Sequence, residues 1–196
     1  MAILNAYLVP KYDYDTADFG EGDGYFVGLE VAKFLKESVD GVAEFSGVDF
    51  WWDAAATSVG PRDLVCYVLG DISQSIVIKH SASKTLPSTA GNTVWSTKLQ
   101  RMISEVYLDG AMNFAADLQQ RDRVLAISII HEFMHNKLDK YPHKKGATGY
   151  VTDIHTTQGK AASQGITYAG GFYDAEDVKL MKAGIAHKVP QYTAAM

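Results

Sequence analysis

One stretch constrains the fold of this 196-residue chain more than any other: the segment from Phe114 to Lys140. Its centre is the apolar run from Val124 to Ile130, interrupted only by Ser128, and Pro142 lies just beyond its end. The segment predicts a long helix, entered through an Asp109-Gly110 turn and stopped at Pro142. The run is far too short to span a bilayer, so this helix belongs to a protein core and not to a membrane. Composition agrees: 47% of residues are hydrophobic, 21% are charged and the mean hydropathy is −0.09, values that exclude a disordered or collagen-like chain. The length fits one domain over 1–196 with a single sizeable core.

Around this helix the chain reads as alternating strand and helix signals. Alternation from Met1 to Pro10 predicts a first strand, followed by a polar, Gly-rich surface loop over Lys11 to Gly24. Val27, Val31, Phe34 and Leu35 then recur at helical spacing between charged residues, predicting an amphipathic helix from Tyr25 to Asp40 closed by Gly41. Strand signals follow over Val42 to Trp52, Leu64 to Leu69 and Ile76 to Ile78. Residues 81–97, rich in Ser, Thr, Gly and Asn, read as an exposed loop. Met102 to Leu108 reads as an edge strand, with Val106 and Leu108 on one face and Ile103, Glu105 and Tyr107 on the other. A last helix is expected from Ala175 to Ala183, with Asp174 as N-cap, Asp177 at N3 and Gly184 as its stop.

The sharpest chemical signal lies inside the long helix, as His131-Glu132-Phe133-Met134-His135. Residues four apart lie one turn apart on the same helix face, so both imidazoles can reach one metal ion. Glu132, about 100° round the helix from His131, can meet a water on that ion and act as its general base. With six His and seven Glu in the chain, this pattern arises by chance in roughly 0.6% of such sequences. Val124, Ile127, Ile130, Met134 and Leu138 lie on or beside the face carrying the histidines, so a packed helix would hold them at the core boundary. The plainer alternative, two hydrogen-bonded core histidines, leaves Glu132 without a reason.

On these residues the chain resembles the zincin metallopeptidases, whose defining motif is His-Glu-x-x-His on an active-site helix. The following Asn136 extends the likeness to the start of the metzincin motif, and the acidic run Asp174-Ala-Glu-Asp177 is similar to the start of the metzincin closing helix. The resemblance implies an α+β, zincin-like fold: a mixed sheet, an active-site helix and a short C-terminal helix. Residues 1–110 would be mainly scaffold and sheet, and 111–196 would carry the active-site helix, a loop region and the closing helix. It also implies a bound Zn2+ held by His131 and His135, with Glu132 as catalytic base. The edge strand near Ser104 to Leu108 would then align an extended substrate.

The chain departs from metzincins where they place Gly and a third ligand, since those positions are Leu138 and Tyr141. The helix is therefore expected to continue to Pro142. His143, just past that stop, ranks first as third ligand, with His155, Asp153 and Glu176 as alternatives. Asp139 continues the i, i+4 series but lies about 12 Å along the axis from His131, too far for a shared ion. Tyr150, Tyr168 and Tyr173 are oxyanion-donor candidates that read better as packing residues. His80 and His187 read as surface or loop histidines, Met181 and Cys66 as core, and Phe50-Trp51-Trp52 as a core strand end. No thiolate cluster is available, so a metal would be held by imidazoles and carboxylates.

A net charge of −5 argues against nucleic acid as a partner. The expected partner is a peptide or protein substrate, with no nucleic acid and no membrane; an inhibitor or immunity partner is not identifiable. The N-terminus lacks the pattern of a signal peptide, so the protein is expected to be cytoplasmic as made, with signal-independent export left open. The expected function is zinc-dependent peptide hydrolysis. Two alternatives stand beside it: a lytic or toxin-type amidase acting on a non-protein amide, and a non-catalytic zinc-binding interaction protein.

Overall fold

The computed structural model describes residues 1–12, 18–52, 59–60, 62–75, 90–96, 101–113, 115, 117–138 and 172–186. The described elements run β1 (Ala2–Lys11), α1 (Glu21–Val39), β2 (Phe45–Trp52), β3 (Leu64–Leu69), β4 (Gly91–Ser96), β5 (Arg101–Tyr107), α2 (Leu108–Asn113), α3 (Leu118–Lys137) and α4 (Ala175–Ala186), with one turn of 3-10 helix at Ile72–Gln74. The class is α+β: a mixed five-stranded sheet in the order β2-β1-β3-β5-β4, together with four helices. β1 pairs in parallel with β2 and β3, β3 pairs in parallel with β5, and β4 alone runs antiparallel, against β5.

Period-two alternation decides which strand residues meet the helices. Leu4, Ala6 and Leu8 of β1, Leu64, Cys66 and Val68 of β3 and Val106 of β5 join one core with Val27, Val31, Phe34 and Leu35 of α1 and Val124, Ile127 and Ile130 of α3. Buried Ile103, Glu105 and Tyr107 occupy the alternate positions of β5. Glu105 there accepts hydrogen bonds from Ser75 Oγ (2.5 Å) and Tyr107 Oη (3.1 Å). α1 packs on β2 through Gly24 and Gly28, one turn apart, which leave room for the Trp52 and Phe50 rings. Phe50 and Trp52 thus pack against the core as expected of a strand end, while Trp51 points outward and is 49% exposed.

Several expectations change. The 81–97 loop contains a strand, β4, and it is β4 and not 102–108 that lies at the sheet edge: β5 has β3 on one side and β4 on the other. Asp109 and Gly110 lie within the short helix α2 rather than forming a plain turn. Gly184 does not stop α4, which continues to Ala186. A Cβ at Gly184 would meet Leu138 Cδ2 at 2.8 Å and the Lys137 carbonyl at 2.9 Å, so its bare backbone lets α4 approach the end of α3. The N-terminus of α4 forms as read: Asp174 Oδ1 accepts from the Glu176 and Asp177 amides, and Asp177 Oδ2 accepts from the Asp174 amide. The Ile76 to Ile78 strand signal falls outside the described residues.

α3 is fixed at both ends. At its start Asp117 caps the Gln120 amide, and the buried Arg121 guanidinium donates to Asp122 Oδ1 and the Asp18 carbonyl while lying over the Phe19 ring. At its end Lys137 Nζ donates to the Arg62 carbonyl at 2.5 Å, and burial pulls this ammonium down to about 8. Among the described residues no helix is long and apolar enough to cross a membrane.

Candidate functional site

His131 and His135 lie in the last two turns of α3, one turn apart, and their rings meet edge to face with centroids 4.6 Å apart. Their Nε2 atoms converge to 2.9 Å. Without a metal this is a hydrogen bond in which one imidazole donates to the other. With one, the spacing is close to the ~3.3 Å that two imidazole nitrogens take at about 2.0–2.1 Å from a shared tetrahedral ion. Both rings sit at the helix's negative end, which favours a cation. His131 is buried and His135 half-buried, so the pair lies at the core boundary.

The helix ends earlier than expected from Pro142. Leu138 is already extended at φ −111°, ψ 119°, and its amide closes the last turn on the Met134 carbonyl at 2.9 Å. That conformation is open to any residue, so the chain leaves the helix at Leu138 without needing a glycine there.

Glu132 projects from the same helix onto the sheet between β4 and β5. Thr93 and Ser104 are register partners on these strands, and their hydroxyl oxygens lie 2.9 Å apart. Thr93 Oγ1 is 2.5 Å from Glu132 Oε2 and 3.1 Å from the Glu132 carbonyl, and Ser104 Oγ is 3.3 Å from that carbonyl. Gly91 makes the space: a Cβ there would lie 2.8 Å from Glu132 Oε1. Burial pushes the Glu132 carboxyl up to about 8, and the Thr93 hydrogen bond only partly counters it. A carboxyl poised near neutrality can both take and return a proton at ordinary pH.

The described structure brings the His131 and His135 rings together and turns the Glu132 carboxyl, on the same helix, onto Thr93. His143, Asp153 and His155, and with them Asp139, Tyr150, Tyr168, His80 and His187, lie outside the described residues. Glu176 sits on the exposed first turn of α4 beside Lys179, at 3.8 Å. Among the described residues no group of three or more His, Cys, Asp or Glu could hold a metal, so Glu176 is not gathered with the histidine pair. Tyr173 packs on Phe34 and donates to Glu37 Oε1 at 3.1 Å, which fits its reading as a packing residue. Cys66 and Met181 are fully buried core residues.

Sequence reading missed Thr93, Ser104 and Gly91. A usable signal was there: Thr93-Val94-Trp95 is a β-branched and aromatic run at the end of a polar segment, which favours a strand over a loop. Comparison with protein-family models, curated proteins and solved structures finds no match to the chain.

Proposed function

We propose that the protein is a zinc-dependent peptidase. The observation that carries this reading is the Glu132 carboxyl. It is buried with a hydroxyl partner on β4, and it stands next in sequence to the first of two imidazoles whose Nε2 atoms converge to 2.9 Å. Burying an acid beside a hydroxyl does less for a fold than an apolar side chain of the same size. Two converging imidazole nitrogens and no thiolate fit zinc in a catalytic setting, and two of its protein ligands would be His131 and His135. The third would come from His143, Asp153 or His155.

Zinc, when bound, lowers the pKa of a coordinated water toward neutrality and polarises a substrate carbonyl. Glu132 takes the proton from the attacking water and passes it to the departing amine, so it ends the cycle as it began. β4 pairs only with β5 among the described residues, so its outer edge is the place where an extended peptide would add as a further strand. This replaces the expected docking along 104–108. The α+β arrangement, with an antiparallel edge strand beside the motif helix, supports a zincin-like fold.

The test is a substrate screen on purified, zinc-analysed protein, using unfolded casein-like polypeptide, folded proteins and muropeptides. The proposal expects about one zinc per chain and cleavage of the unfolded polypeptide. Cleavage of muropeptides alone would move the function to the amidase class, and bound zinc without turnover on any substrate would leave a binding protein.

A further inference from the structure

Glu132 is held by groups that the motif itself does not contain, and they stand on the strand where a substrate would dock. Thr93 Oγ1 has three oxygen neighbours: Glu132 Oε2 at 2.5 Å, Ser104 Oγ at 2.9 Å and the Glu132 carbonyl at 3.1 Å. A hydroxyl has one proton to give and lone pairs to receive. Thr93 thus donates to Oε2, and Ser104 Oγ, 3.3 Å from the Glu132 carbonyl, completes the ring of partners that holds the carboxyl in one place.

Gly91 acts by shape. It precedes Thr93 by two residues on the same face of β4, and any side chain there would strike Glu132 Oε1 and Cγ, at 2.8 and 2.9 Å from a Cβ. The carboxylate therefore fits into a slot whose wall is Gly91 and whose hydrogen bond is Thr93.

We propose that Thr93 is a positioning residue for the general base, aiming the Glu132 carboxylate from the strand along which the substrate lies. This rests on the peptidase reading above. It predicts a loss in the chemical step and not in substrate binding, because Thr93 acts through Glu132 and not on the peptide.

The test compares Thr93→Val, which keeps the shape and removes the hydroxyl, with Thr93→Ser, which keeps the hydroxyl, each checked for zinc content. Thr93→Val should lower kcat by about 10- to 100-fold with KM within about twofold, and Thr93→Ser should recover most of the loss. A crystal structure of metal-free Thr93→Val should show the Glu132 carboxylate moved from its place. Wild-type kcat in Thr93→Val, equal loss in the Ser and Val variants, or an unmoved carboxylate would overturn the assignment while leaving the peptidase reading intact. Absence of hydrolysis by the zinc-loaded wild type overturns both.

Discussion

At the scale of single residues, Glu132 concentrates the tension between stability and function. Its carboxyl titrates at about 8 in the fold against 4.5 ordinarily, so the folded chain binds this proton more tightly than the unfolded chain does. The metal-free protein is stabilised by that proton below about pH 4.5, and the benefit is lost as pH rises through about 8. Glu132→Gln mimics the neutral form, so the metal-free variant should be more stable than wild type at pH 8. The difference should be on the order of a few kcal/mol and should shrink toward pH 4. Chemical unfolding at both pH values measures it, and a variant less stable than wild type at pH 8 would contradict the assignment of Glu132 as a buried functional acid. The amide nitrogen of Asn136, next to His135, is also buried, with no partner among the described residues.

Helices and strands set the site through their ends and edges. Arg121 fixes the start of α3, and it is 2% exposed with Asp122 as its close carboxylate partner, at 2.8 Å. Arg121→Ala leaves that carboxylate buried without its charge partner and should cost about 3–5 kcal/mol, read from the unfolding midpoint; a loss below about 1 kcal/mol would mean the pair behaves as a surface one. At the other end, Gly184→Ala tests how closely α4 meets α3. Ala in place of Gly inside a helix ordinarily stabilises by up to about 1 kcal/mol, yet here the new methyl would press on the Lys137 carbonyl and Leu138. We expect a net destabilisation of about 1–3 kcal/mol, and a raised melting temperature would show that the helices can move apart freely. The same elements show what the sequence makes legible. β1, on its alternation, and β3, on a continuous apolar run, form within a residue of their expected bounds, while α1 starts four residues early, at Glu21 inside the expected loop; the α4 cap is written in Asp174 and Asp177. β4 is hidden in the sequence because its six residues close a polar run and, among the described residues, β5 alone pairs with it. The end of α3 was misplaced because proline marks where a helix cannot continue, whereas this one stops earlier, where Leu138 turns extended against Gly184.

At the scale of the whole molecule, the sheet supplies a platform and the motif helix lies against β4 and β5, so the base is held from the strands while the imidazole pair stands in the last two turns of the same helix. Zinc that binds the folded chain and not the unfolded one should raise stability by about 4 kcal/mol at a thousandfold excess over Kd, visible as a higher melting temperature that a chelator reverses. His131→Ala and His135→Ala should each abolish that shift, and a shift retained in both variants would put the metal elsewhere. Replacing His143, Asp153 and His155 singly and measuring zinc content identifies the third ligand. If the imidazole pair holds zinc while Glu132 carries the proton, the two roles separate in the turnover number of zinc-loaded wild type against zinc-loaded Glu132→Gln on an unfolded polypeptide. The prediction is equal zinc content with turnover reduced by at least about 100-fold in the variant; equal turnover at equal zinc content would contradict it.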